Sequence, residues 1–155
     1  MANYLKEGAP APKFSLLNQN HDEINLYDFI GKKKVLIYFY PKALTPGCTT
    51  QACGLRDTKE QFDDHNLVIF GISPDEPEKL QKFIEKHQLN FDLLSDVKLD
   101  VAHAFGVWGK KQFMGKEYDG IHRISFLIGL DGNIESVIDK FKTKDHHEVV
   151  LEKLS

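Results

Sequence analysis

Apolar residues fall in short blocks along this chain, and the period within each block assigns most of its elements. Val35 to Tyr40 is a continuous apolar run rich in β-branched and aromatic residues. It predicts a strand buried on both faces, as in the middle of an α/β sheet. Leu67 to Ile72 predicts a second such strand and Ile124 to Ile128 a third. Asp131-Gly132 is a hairpin turn signal leading to a fourth strand over Ile134 to Ile138. Near the start, Gly8 to Pro12 reads as an extended lead-in. Phe14 to Leu26 then reads as strand, polar turn and short strand, a β-hairpin.

Between the strands the period becomes helical. A helix is predicted from Cys48 to about Asp64, with Leu55 and Phe62 supplying part of its inner face. Asp75-Glu76-Pro77-Glu78 looks like a helix start, with Asp75 as N-cap, an early proline and a glutamate three residues on. Leu80, Phe83 and Ile84 follow at helical spacing. Phe91 to Leu94 predicts a short strand, Leu99 to Phe105 a short helix, and His146 to Leu154 a helix with Val150 and Leu154 on one side. Strands alternate with helices early and form a hairpin late. The expected class is α/β, a mixed central sheet flanked by helices.

Length and composition narrow the classes of function. At 155 residues the chain fits a single domain, 1–155, large enough for a full core without staples. Net charge is −3 with both signs interspersed, which argues against nucleic acid as a partner. Lys32-Lys33-Lys34 reads as a solvated loop ahead of a strand. No apolar stretch approaches a membrane span, and the N-terminus has no secretion signature. The expected compartment is therefore the cytoplasm, where thiols are kept reduced.

The chain has 2 cysteines, and both lie in one run, Pro41-Lys42-Ala43-Leu44-Thr45-Pro46-Gly47-Cys48-Thr49-Thr50-Gln51-Ala52-Cys53. Pro41 ends the strand, Pro46-Gly47 shapes a turn, and Cys48 falls where a helix begins. Backbone N–H groups at a helix start lack partners and favour an anion, and the thiolate is the nucleophilic form of cysteine. On one helix, five residues advance about 7.5 Å, with about 100° of rotation per residue. That puts Cys48 and Cys53 on different sides, whereas a disulfide needs Cα atoms within roughly 7 Å and converging Cβ vectors. A bond between them would require the helix to unwind locally.

Three readings of the pair compete: a nucleophile with a resolving partner, half of a metal site, or inert buried thiols. No third cysteine exists to complete a thiolate metal site. Adjacent His146-His147 reads as exposed helix surface rather than as ligands. The Thr-Pro-Gly-Cys context at a strand-to-helix junction favours the nucleophile. Thr45, three residues before Cys48, can turn its hydroxyl into the same turn, although alone it would be an ordinary turn residue.

Pro41-x-x-x-Thr45-x-x-Cys48 resembles the active-site motif of the peroxiredoxins. The longer run from Tyr38 to Cys53, continuing into Gly54-Leu55-Arg56-Asp57, is similar to the Q-type branch, the bacterioferritin comigratory proteins. Gly120-Ile121-His122-Arg123-Ile124-Ser125-Phe126-Leu127 resembles the segment that supplies that family's active-site arginine. Phe105 to Gly109, Phe113 to Lys116 and Asp119 are similar to bacterial members as well.

The resemblance implies a thioredoxin-like fold with the N-terminal β-hairpin as an extension, and a thiol-dependent peroxidase acting on hydrogen peroxide and organic hydroperoxides. In it, Cys48 would be the peroxidatic cysteine passing through a sulfenic acid. Thr45 and Arg123 would be its activators, Pro41 the start of the motif, and Cys53 the resolving cysteine of an intramolecular disulfide. Thioredoxin or a similar dithiol would recycle that disulfide, with no cofactor and no metal, in a monomer. Without the resemblance, Arg123 is one of 20 lysines and arginines and reads as a solvated or paired charge.

Two departures stand out. Ala43-Leu44 replaces positions that are often acidic or polar, and Gly129 stands where an aspartate commonly follows the strand. They are expected to alter charge near the site and one turn, without loss of activity. Rival readings are a thioredoxin-type oxidoreductase, a sensor or chaperone that passes on its disulfide, and an inert binding module. The Cys-x4-Cys spacing and the absence of any proline after Pro77 count against the first.

Overall fold

A computed structural model describes residues 4–154. Among the described residues, nine strands and five α-helices follow one another. They are β1 (Ser15–Asn18), β2 (Glu23–Asn25), β3 (Lys34–Phe39), α1 (Pro46–Asp57), α2 (Lys59–Asp64), β4 (Leu67–Ser73), α3 (Pro77–His87), β5 (Asp92–Ser95), α4 (Asp100–Phe105), β6 (Trp108–Phe113), β7 (Lys116–Ile121), β8 (Ser125–Ile128), β9 (Ile134–Ile138) and α5 (His146–Leu154). Seven strands form one sheet in the order β2-β1-β5-β4-β3-β8-β9. β3 pairs parallel with β4 and antiparallel with β8, so the sheet is mixed, as expected. The N-terminal hairpin extends this sheet directly, because β1 pairs antiparallel with β5.

The continuous apolar run of β3 is explained by layers on both sides of it. Leu36, Tyr38 and Tyr40 face a core built with Ala52 and Leu55 of α1, Phe62 of α2, Leu80 and Phe83 of α3 and Val150 of α5. Val35, Ile37 and Phe39 face the opposite core, with Val101, Ala102 and Phe105 of α4 and Phe126 and Ile128 of β8. Each such fully buried side chain contributes about 1.5–3 kcal/mol of burial free energy.

Several expectations are corrected. The helix expected over Cys48 to Asp64 begins earlier, at Pro46, and is broken at Thr58. Thr58 donates its hydroxyl to the Gly54 carbonyl at 2.8 Å and leaves helical geometry at ψ 2. That back-bond competes with the helical ladder. The N-cap of α3 is Glu76, not Asp75. The Asp75 carboxylate instead accepts from Ser73 Oγ at 2.9 Å and from the Ala43 N–H at 2.7 Å. His146, expected at the surface, is fully buried.

The β6–β7 hairpin had no strand signal. It forms a separate two-stranded sheet whose strands are largely solvent-facing, so no apolar alternation marks them. Its two-residue turn, Met114-Gly115, has φ of 52° and 80°. Both residues in the left-handed region make the type I′ geometry that suits a twisted hairpin.

Candidate active site

β3, an interior strand between β4 and β8, ends at Phe39, and the chain then turns through Pro41 to Thr45 into α1. Ala43 is buried, and its N–H is held by Asp75 from the β4–α3 connection. Asp75 is itself paired with Lys79 Nζ at 3.3 Å. A polar or acidic side chain at position 43 would enter this buried space beside the Asp75 carboxylate, which gives the alanine a physical reason. Leu44 takes the left-handed φ of 69° that closes the turn.

Thr45 is the N-cap residue of α1, in extended geometry, and Pro46 occupies the first helical position. The Thr45 carbonyl accepts the first intrahelical bond, from Thr49 N at 2.9 Å. The Gly47 and Cys48 N–H groups lie in the first turn, where a helix offers no acceptor. Thr45 Oγ1 donates to the Lys42 carbonyl at 2.8 Å. The hydroxyl thus closes the turn from within, and its lone pairs remain available.

Cys48 is buried, and Cys53 is half-buried on the same unbroken helix; both are free thiols. Arg123 reaches Cys48 from far along the chain. Its Nη2 donates to Cys48 Sγ at 3.3 Å and its Nη1 to Gln51 Oε1 at 3.1 Å. Sheet register explains the meeting. Tyr38 of β3 pairs with Ser125 of β8, and the Phe39 N–H donates to the Ile124 carbonyl at 3.0 Å. The residue before Ile124 therefore lies beside the end of β3, where the turn into α1 begins. Gly47 leaves room for the guanidinium, because a Cβ there would come within 3.1 Å of Arg123 Nη2.

Behind the thiol, Tyr38 is fully buried and stacks on Tyr40 at 5.4 Å between ring centroids. Burial, then the neighbouring Tyr40, Cys48 and Cys53 charges, hold the Tyr38 phenol well above its ordinary value, so it stays protonated. His146 of α5 closes the far side, with Nε2 2.7 Å from Ser125 Oγ and its ring 5.7 Å from Tyr38. Burial above all pushes the His146 pKa down to about 3, so the imidazole is neutral. Among the described residues no three His, Cys, Asp or Glu side chains gather as metal ligands. A buried thiol under a guanidinium, at a helix start, is an arrangement for nucleophilic sulfur chemistry.

The family model for AhpC/TSA matches residues 8–137. The chain belongs to the AhpC/TSA family. It is 63% identical over 152 residues to the putative peroxiredoxin bcp of Haemophilus influenzae, covering 98% of this chain and 97% of that one. Peroxiredoxin Bcp of Escherichia coli is 60% identical over 149 residues, covering 96% and 95%. Among solved structures, peroxidoxin BcpB of Mycobacterium tuberculosis superposes with a TM-score of 0.86 at 34% identity, covering 97% of each chain. Peroxiredoxin Q of Xanthomonas campestris superposes with a TM-score of 0.86 at 31% identity, covering 99% and 96%. The chain is thus a peroxiredoxin of the Bcp/Q type with a thioredoxin-like fold, in line with the resemblance.

In this peroxiredoxin the tertiary structure brings Cys48 and Arg123 into contact, while Thr45 and Pro41 lie in the connection between β3 and α1. It keeps Cys53 five residues further along an intact helix. Gln51 escaped the sequence reading. It is fully buried and accepts from Arg123, and its signal was its position three residues after Cys48, on the same helix face. Gly129, the second departure, forms the turn into β9. A Cβ there would lie 3.2 Å from Asp131 Oδ1 and 3.4 Å from Glu135 Oε1. An aspartate would meet two carboxylates, so the glycine suits its neighbours. Among the described residues no helix is long and apolar enough to cross a membrane.

Proposed function

We propose that this peroxiredoxin reduces hydrogen peroxide and organic hydroperoxides with Cys48 as nucleophile and Cys53 as resolving thiol. The observation that carries the reading is the Arg123 guanidinium 3.3 Å from the buried Cys48 Sγ. The Cys48 thiolate attacks the distal oxygen of the hydroperoxide. The O–O bond breaks, sulfur is oxidised to a sulfenic acid, and the departing oxygen takes a proton to leave as water or an alcohol. Arg123, the first-turn N–H groups and Thr45 stabilise the charge as it shifts from sulfur to oxygen. Organic substrates gain support from a relative: the bacterioferritin comigratory protein of Xanthomonas campestris, 30% identical, is described by its alkyl peroxide reduction activity.

Resolution then requires α1 to unwind, because Cys48 and Cys53 stand on different sides of it. The Cys53 thiolate attacks the Cys48 sulfenic sulfur, the S–O bond breaks, the departing hydroxide takes a proton from solvent to leave as water, and an intramolecular disulfide forms. A dithiol protein of the thioredoxin kind reduces it by thiol–disulfide exchange. No metal or organic cofactor enters these steps. The protein works as a monomeric single domain in a reducing compartment, the cytoplasm.

The test mixes reduced protein with stoichiometric hydrogen peroxide and follows free thiols and intact mass. Wild type should lose both thiols without dimerising, and Cys53→Ser should accumulate sulfenic acid at Cys48. Oxidation that survives Cys48→Ser would sink the assignment. A disulfide that thioredoxin leaves untouched would remove the reductant from it.

A further inference from the structure

One charged side chain bonded to the segment that carries Arg123 has no part in the chemistry above. Lys111 stands on β6, in the hairpin outside the main sheet. Its stem crosses Gly120 on the paired strand, where a Cβ would come within 3.2 Å of Lys111 Cδ. Its ammonium donates to the Ile121 carbonyl at 2.7 Å. Ile121 ends β7, and only His122 separates it from Arg123. The same link is gripped twice more. The His122 N–H donates to the Val107 carbonyl at 2.9 Å, and the His122 ring bonds the Lys110 carbonyl at 3.0 Å. The hairpin therefore fixes the segment that delivers the arginine.

Lys111 is half-buried, and among the described residues neither it nor Arg123 makes an ion pair with a carboxylate. Lys110, its neighbour, has Glu117 at 3.9 Å. Neither Lys111 nor Arg123 thus has a permanent carboxylate counter-ion. Burial and then the Arg123 charge lower the Lys111 pKa, while the Cys48 charge works in the opposite direction. Crowding of like charges is unfavourable unless an anion offsets it. The anion this site generates is the Cys48 thiolate.

We propose that Lys111 is a positioning residue of the peroxide site, pinned on the Ile121 carbonyl so that its charge joins that of Arg123 over Cys48. The inference rests on the reading of Cys48 as nucleophile, and its test has one arm independent of peroxide.

Reduced wild type, Lys111→Met, Lys111→Gln and Lys111→Arg are alkylated with iodoacetamide across pH 6 to 9, with Cys48 modification read by peptide mass. The same proteins are oxidised with hydrogen peroxide in stopped flow, with Trp108 fluorescence as the probe. Both neutral variants should alkylate at Cys48 roughly three- to tenfold more slowly near pH 7, the effect of one partly screened charge. Their rate profile should move to higher pH, and peroxide oxidation should slow by a similar factor. Lys111→Arg should restore both rates to within about twofold, since a guanidinium keeps the charge and can donate to the same carbonyl. Wild-type rates and profile in both neutral variants overturn the proposal. So does an Lys111→Arg protein as slow as Lys111→Met, because packing of the stem would then be the cause. Wild type that alkylates readily but ignores peroxide overturns the peroxidase reading instead.

Discussion

Gly54 of α1 and His147 of α5 share one space: a methyl group on Gly54 would overlap the imidazole Nδ1 and lie 3.1 Å from Cε1. Gly54 follows Cys53 directly, so the residue that lets α5 close on α1 adjoins the proposed resolving thiol. Unwinding of α1 therefore has to strip it from α5. Gly54→Ala gains helix propensity of about 1 kcal/mol but forces the imidazole out. We expect a net loss of roughly 1–2 kcal/mol in urea unfolding and faster disulfide formation after oxidation. His147→Ala in the same protein should recover most of that loss. A double variant no more stable than Gly54→Ala alone would show that the imidazole is not the obstacle.

Arg123 donates to both Cys48 Sγ and Gln51 Oε1. Removing a donor aimed at developing charge typically costs about 10²–10³ in rate. Arg123→Met is expected to slow peroxide oxidation of Cys48 by about that factor in single-turnover stopped flow. Gln51→Leu leaves the guanidinium with one side-chain acceptor fewer, and a smaller loss of about tenfold is expected.

The neutral, buried His146 makes stability depend on pH. Its folded pKa is about 3, and on unfolding it returns toward about 6.5. Between those values the unfolded chain binds a proton that the folded chain does not, so stability rises with pH across the window. This contribution is complete above about pH 6.5 and is lost at about 1.4 kcal/mol per unit as pH falls toward 3. Urea unfolding at pH 7.5 and pH 5 should differ by about 2 kcal/mol on this account alone. His146→Gln should lose that share of the slope; an unchanged slope would assign it to other groups.

Ala43 is buried, and its N–H is held by the Asp75 carboxylate. Ala43→Asp would place a second carboxylate beside the first, away from water. A loss of roughly 2–4 kcal/mol in urea unfolding at pH 7 is expected, shrinking in acid as one carboxyl protonates. Leu44→Asp, at a half-buried position, should cost less.

Much of this protein was legible along the chain because the signals were local. The apolar run of Val35 to Tyr40 specified a strand covered on both faces, and the proline, threonine and glycine around Cys48 specified a helix start with a thiol in its first turn. The cysteine spacing alone required unwinding before any disulfide. Turns and burial periods act between residues a few positions apart, and sequence displays them directly.

Arg123, Gln51, Lys111 and His146 belong to the other kind. Nothing near Arg123 in sequence distinguishes it from the remaining cations; the pairing of β8 against β3 brings it to Cys48, and family resemblance stood in for that register. The hairpin that carries Lys111 has no apolar period because its strands largely face water, and His146 looked like surface until α5 was laid over Ser125 and Tyr38. The sequence determined that a thiol would stand at the start of a helix. Only the tertiary structure decided which charges surround it, because long-range strand pairing and helix docking set those distances.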